Sequence, residues 1–113
     1  MLSSVGSSVS GIKAALKILD VSARNTSLMD ADGYKKDTVR LSEGKKGGVA
    51  VAVGKDDSPG GLYLSNGKLV EASNVNYIDE VANQISAGFL LKANAAAYKT
   101  AQRMEEALLD ITA

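Results

Sequence analysis

Leu19 to Lys36 reads LDVSARNTSLMDADGYKK. It joins the end of an apolar-striped segment to a polar turn closed by Asp32-Gly33-Tyr34-Lys35. Asp and Gly tolerate the left-handed backbone that closes helices, so a helix is expected to stop near Asp30 to Gly33.

Upstream, the stripe Val5, Val9, Ile12, Leu16, Leu19, Ala23, Thr26 recurs at spacings of 4, 3, 4, 3, 4 and 3. This is a heptad pattern. It predicts an N-terminal helix over residues 4–30 with a seam narrow enough for a coiled-coil contact. Lys13, Lys17, Asp20 and Arg24 fall on the outer face. The first turns hold Ser3, Ser4, Gly6, Ser7, Ser8, Ser10 and Gly11, which are poor helix formers. Order at this end is therefore expected to depend on packing.

Downstream, residues 34–72 change character. Val39 and Leu41 alternate with polar residues, and Val49, Val51 and Val53 alternate with Ala50 and Ala52, the period of a strand. Leu62-Tyr63-Leu64 and Leu69-Val70 flank Ser65-Asn66-Gly67-Lys68, and Asn-Gly between apolar runs is a strong hairpin signal. Three or four short antiparallel strands follow, in a sheet that is expected to lean on a helix. Residues 77–111 then read as one long helix. Asn76 caps it, and Asp79 and Glu80 suit its positive start. Leu90, Ala97, Ala101, Met104, Leu108 and Ile111 form one apolar face, and Ile78, Ala82, Ile85, Phe89 and Ala93 another. The fold class is α+β and mainly helical. Long terminal helices pair as a hairpin or coiled coil, with a small antiparallel β region inserted between them. Residues 1–113 form a single domain.

Composition narrows the function. Thirteen basic residues balance 13 acidic ones, and no basic run exceeds two residues. Neither a global nor a local footprint for nucleic acid exists. There is no Cys and no His, so thiol and imidazole nucleophiles, zinc-thiolate sites and His-based triads are excluded. Gly54-Lys55 is followed by Asp56, so a phosphate loop, which needs Ser or Thr there, is rejected. No catalytic, cofactor-binding or metal-ligating residue is assigned, and no enzyme activity is expected. No run of about 18 apolar residues exists, which argues against membrane insertion. The start lacks a basic region before its apolar stretch, so no cleaved signal is expected.

The quoted stretch resembles the N-terminal signature of bacterial flagellar rod and hook proteins, roughly L-D-V-x-A-N-N-I-A-N-x-N-T-x-G-Y-K. Leu19, Asp20, Val21, Ala23, Asn25, Gly33, Tyr34 and Lys35 match it. Arg24, Leu28 and Asp30 replace family asparagines. Ser10-Gly11-Ile12 with Ala14 or Ala15 is similar to the family's S-G-[LI]-x-A start. Ser73-Asn74-Val75-Asn76, then Glu80, Ile85, Ala87, Ala93, Asn94, Thr100 and Met104, resemble its C-terminal pattern. Phe89-Leu90-Leu91 stands where the family often has Arg-Ala-Tyr. Gly47-Gly48-Val49 and Asp57-Ser58-Pro59 are similar to the proximal rod type.

The resemblance implies a structural subunit of the flagellar basal-body rod, a motility protein. Its terminal helices would pair inside an axial tube. Its partners would be other axial proteins and itself, and it would leave by type III export without a cleaved signal. The expected assembly contacts are Val5, Val9, Ile12, Leu16, Leu19, Asn25, Ile85, Phe89, Leu90, Asn94, Met104 and Leu108. In isolation the chain is expected to be a homo-oligomer. The alternative is a non-enzymatic cytosolic helical adaptor that dimerises through the same stripes. Two plainer roles stand beside these. The Val5–Thr26 stripe can serve only the chain's own core, and Asn25 and Asn74 can be cap or turn residues.

Overall fold

The computed structural model describes residues 2–112. Two helices enclose two β-hairpins in the order α1 (Leu2–Ser27), β1 (Asp37–Glu43), β2 (Val49–Lys55), β3 (Leu62–Ser65), β4 (Lys68–Glu71) and α2 (Tyr77–Thr112). Long terminal helices around a small antiparallel β region are what the sequence pattern implies. α1 stops at Ser27, three residues short of the expected end, and begins at Leu2 despite its Ser and Gly content. Gly33 takes φ 74° in the turn that follows. Asn76 caps α2: its Oδ1 accepts the Ile78 amide at 3.0 Å and the Asp79 amide at 3.4 Å.

The helices pack antiparallel. Their seam is not the large apolar stripe. On α1 it is Ser8, Gly11, Ala15, Ile18, Ser22 and Asn25, the same 3,4 spacing displaced by one residue. Gly11 is buried because the Asn94 side chain occupies the place its Cβ would fill. Close approach explains the choice: small side chains let two backbones come together, and leucines would hold them apart. On α2 the matching row is Glu80, Gln84, Ala87, Leu91, Asn94, Tyr98 and Ala101, every member buried or half-buried.

The β region is two separate two-stranded sheets rather than one. β1 and β2 pair in register, Val39 opposite Val53 and Leu41 opposite Val51, so their large apolar residues share one face. This hairpin lies along α1. The Val49 amide donates to Ser10 Oγ at 3.0 Å, and Ala14 and Val21 are buried on the flank it covers. β3 and β4 close on Asn66 and Gly67, with φ 51° and 77°, the two positive values of a type I′ turn. This second hairpin packs against neither helix. It hangs from the turn between α1 and β1. The Gly33 amide donates to Glu71 O at 2.9 Å, and the Tyr63 hydroxyl donates to the Asp32 carboxylate at 2.6 Å. That bond raises the Tyr63 pKa above its usual 10.0.

The result is a rod 78 Å long and 24 Å by 13 Å across. The 36 residues of α2 span about 54 Å at 1.5 Å per residue. The turn between α1 and β1 and the β3–β4 hairpin supply the remainder at one pole. Gly11 lies against Asn94 and Ser22 against Glu80. At that register Leu2 is level with about Arg103, so the last turns of α2 run past the start of α1.

Candidate assembly surface

A buried polar knot sets the helix register. Glu80 is 3% exposed. Ser22 Oγ donates to Glu80 Oε2 at 2.6 Å, and Asn25 Nδ2 donates to Oε1 at 3.1 Å. Asn25 Nδ2 also donates to Asp37 O at 2.9 Å. Its Oδ1 accepts the Asp37 amide and the Tyr34 hydroxyl, both at 2.9 Å. Gln84 Nε2 adds bonds to Ser22 Oγ and Thr26 Oγ1 at 3.1 and 3.3 Å. One asparagine thus ties α1, the turn, β1 and α2 together with its full bonding capacity. Among the described residues no buried side-chain polar atom lacks a partner. A heptad slip would orphan several of them at once, at about 1–3 kcal/mol each.

Asn74 does similar work in the loop before α2. It accepts the Lys36 amide at 2.7 Å and donates to Asp56 O at 2.7 Å. The Ser58 hydroxyl and amide hold the Asp56 carboxyl below its usual 3.8. Lys35 Nζ bonds Glu71 Oε1 at 2.6 Å, and this ammonium and the Gly60 amide hold the Glu71 carboxyl below its usual 4.5.

With the seam built mainly from small and polar residues, Ile18 and Leu91 apart, most of the large apolar side chains are left to the flanks. About 100° per residue puts Val5, Val9, Ile12, Leu16 and Leu19 on the side of α1 away from the β1–β2 hairpin. On the same open flank of the helix pair, α2 sets Val81 and Ile85, with Ile78 and Phe89 further round its back. Leu16, Ile85 and Phe89 are 51%, 56% and 68% exposed. Val5, Val9, Ile12 and Leu19 are half-buried. Past the start of α1, Met104, Leu108, Leu109 and Ile111 of α2 are exposed. On the covered flank, a cleft of about 470 Å³ between Ile18, Val21, Val39, Leu41, Ala82 and Asn83 is lined equally by polar groups such as Asp37, Asp79 and Glu80.

The twelve residues picked from sequence therefore separate. Val5, Val9, Ile12, Leu16, Leu19 and Ile85 come together on the open flank, beside Phe89. Met104 and Leu108 lie on the overhang. Leu90 is half-buried on the opposite flank from Ile85. Asn25 and Asn94 are engaged inside the chain: Asn25 in the knot, and Asn94 between Gly11 and Leu90 O, to which it donates at 2.9 Å. Asn25 is neither a cap nor a turn residue. The knot itself was missed, although Ser22, Asn25, Glu80 and Gln84 fall on the seam spacing and were its signal. Among the described residues no helix is long and apolar enough to cross a membrane. No protein-family model matches the chain, and no curated protein matches it significantly.

Proposed function

We propose that this chain is a structural subunit of the bacterial flagellar basal-body rod, built to assemble with neighbours through its terminal helices. The observation that carries the reading is the open flank. Both helices bearing the rod-like terminal motifs contribute to it, and none of the other described elements covers it. Leu16, Ile85 and Phe89 alone leave on the order of 300 Å² of apolar surface in water, at about 100 Å² per large side chain. Single exposed apolar residues are ordinary, but a contiguous row along a helix pair marks a contact surface. The Asn25–Glu80 knot fits this role, because it fixes the helix pair in one register and presents the flank as a rigid strip.

The mechanism is packing rather than chemistry. A copy or a related axial protein lays its own apolar strip on Val9, Ile12, Leu16 and Ile85. The poorly helical Ser/Gly-rich start of α1 gains order from that burial. Deleting the gene in its flagellated host tests the proposal. Motility and complete basal bodies should be lost, and the full chain should restore both and co-purify with basal bodies. A deletion strain with normal rods and normal swimming would refute it.

A further inference from the structure

We propose that the cleft between β1 and α2 takes an extended segment of another protein, which adds to β1 as a further strand and sets a basic residue against Asp79. The inference is independent of the open flank, which lies on the other side of the helix pair. It starts from the direction of the β1 backbone groups. The Gly44 amide donates to Gly48 O and the Asp56 amide to Lys36 O, both at 3.0 Å. With the strand register, these bonds make the even-numbered residues of β1 the ones that bond β2. The N–H and C=O groups of Asp37, Val39 and Leu41 therefore point away from β2. Asn25 engages both groups of Asp37: its Oδ1 accepts the amide and its Nδ2 donates to the carbonyl, each at 2.9 Å. The same Nδ2 reaches Glu80 of α2, so this edge of β1 faces α2. That pair of bonds is the one a neighbouring strand makes. Val39 and Leu41 repeat the outward groups about 7 and 14 Å further on, and among the described residues neither is bonded to anything outside the hairpin.

These groups select the occupant. A helix satisfies its own main chain and has little to offer Val39 and Leu41, whereas an extended segment bonds both. Room for it exists: β1 and α2 stay more than 8 Å apart between Cα atoms, across the cleft of about 470 Å³. Ile18 and Val21 give alternate side chains of the segment an apolar floor, and Ala82 and Asn83 form the far wall. Charge sets a second preference. Of the charged residues lining the cleft, Lys36 and Asp37 are ion-paired and Glu80 is bonded in the knot. Among the described residues, the Asp79 carboxylate has neither an ion pair nor a hydrogen bond, so a basic residue is its complement. A second copy of this chain supplies the segment poorly. Its β1 laid antiparallel on this one about Arg40 sets Arg40 on Arg40 and Asp37 against Glu43. Its β2 and β4 are held at their outer edges by its own Ser10 and Gly33, and its β3 carries no basic residue.

The probe is a short synthetic peptide of alternating valine and threonine with one terminal lysine, made with the lysine first and with it last, and added to the full-length chain. At least one of the two should bind saturably below about 1 mM. Amide exchange at Val39 and Leu41 should slow at least several-fold in the complex, while Val51 and Val53, on the outer edge of β2, keep their rates. Methylating every backbone nitrogen of the peptide removes its donors and keeps its side chains, and should abolish binding. Glutamine in place of the lysine should weaken binding several-fold, and Asp79→Asn should erase that difference between the two peptides. No saturation by either peptide, equal binding of the methylated form, or protection at Val51 and Val53 instead would each overturn the proposal. So would protection of Val39 and Leu41 that grows with chain concentration in the absence of peptide, because a second copy would then be the occupant.

Discussion

Gly11 of α1 sits directly against the Asn94 side chain of α2, with no room for a Cβ between them. This contact explains why small residues line the closest part of the helix seam, and why Leu16 and Leu19 are left outside it. A matched pair of substitutions isolates it. Ala is the better helix former by about 0.5–1 kcal/mol. Gly6 has open space around its Cβ position, so Gly6→Ala should stabilise by about that amount. Gly11→Ala has to push Asn94 off Leu90 O, at a cost of about 1–3 kcal/mol that outweighs the propensity gain. Urea midpoints should therefore move in opposite directions for two identical changes five residues apart on one helix.

Asn25→Ala removes the crosspiece of the knot. It leaves the Asp37 amide, the Tyr34 hydroxyl and one Glu80 oxygen short of a partner. A loss of about 2–3 kcal/mol is expected in chemical denaturation, large against the ~5–15 kcal/mol of a typical domain. Ser27→Ala, at an exposed hydroxyl bonded only to Ala23 O, should stay within about 0.5 kcal/mol of wild type.

Phe89 and Leu90 are neighbours with different fates. Phe89 is 68% exposed, so Phe89→Asp should change monomer stability by no more than about 0.5 kcal/mol. Leu90 is half-buried, and Leu90→Asp should cost about 2 kcal/mol because a charge is drawn partly out of water. Thermal unfolding of the two variants, with equal helicity before the transition, checks the contrast.

The Lys35–Glu71 bond gives the hairpin anchor a pH dependence. The Glu71 carboxyl is held below its ordinary 4.5, so its contribution is complete above that value and is lost as pH falls through the lower folded value. Hydrogen exchange at the Gly60 amide, which donates to Glu71 Oε1, should quicken over that acid range relative to β1–β2 amides. Lys35→Met should return the Glu71 titration toward its ordinary position. Glu71 is only half-buried, so water screens the pair and the effect is local to the anchor rather than global.

Much of the architecture was legible from local signals. Asn76 announced the start of α2, Asn66-Gly67 announced the second hairpin, and the valine alternation announced β2. Those features depend on residues a few positions apart. The seam was not legible by the same route. Two rows on α1 share the heptad spacing, Val5–Thr26 and Ser8–Asn25, and the choice between them turns on how closely two backbones approach. That depends on Gly11 meeting Asn94, far apart in sequence. Likewise the split of the β region into two sheets follows from Glu71 and Gly33 binding the second hairpin to the turn between α1 and β1, a contact that alternation does not encode. The Val5–Leu19 stripe, expected to make assembly contacts, lies on the open flank rather than in the seam between the helices.

Sedimentation of the full-length chain against its Leu16→Asp variant tests the central claim most directly, that the open flank is a contact between subunits. Leu16 is half in water in the single chain, so the variant should keep wild-type helicity and thermal stability. The wild-type chain should associate with rising concentration into the tens of micromolar. Leu16→Asp should shift that association by at least about tenfold, ~1.4 kcal/mol. A wild-type chain that stays monomeric throughout, or a folded Leu16→Asp chain that associates as wild type does, would contradict the account.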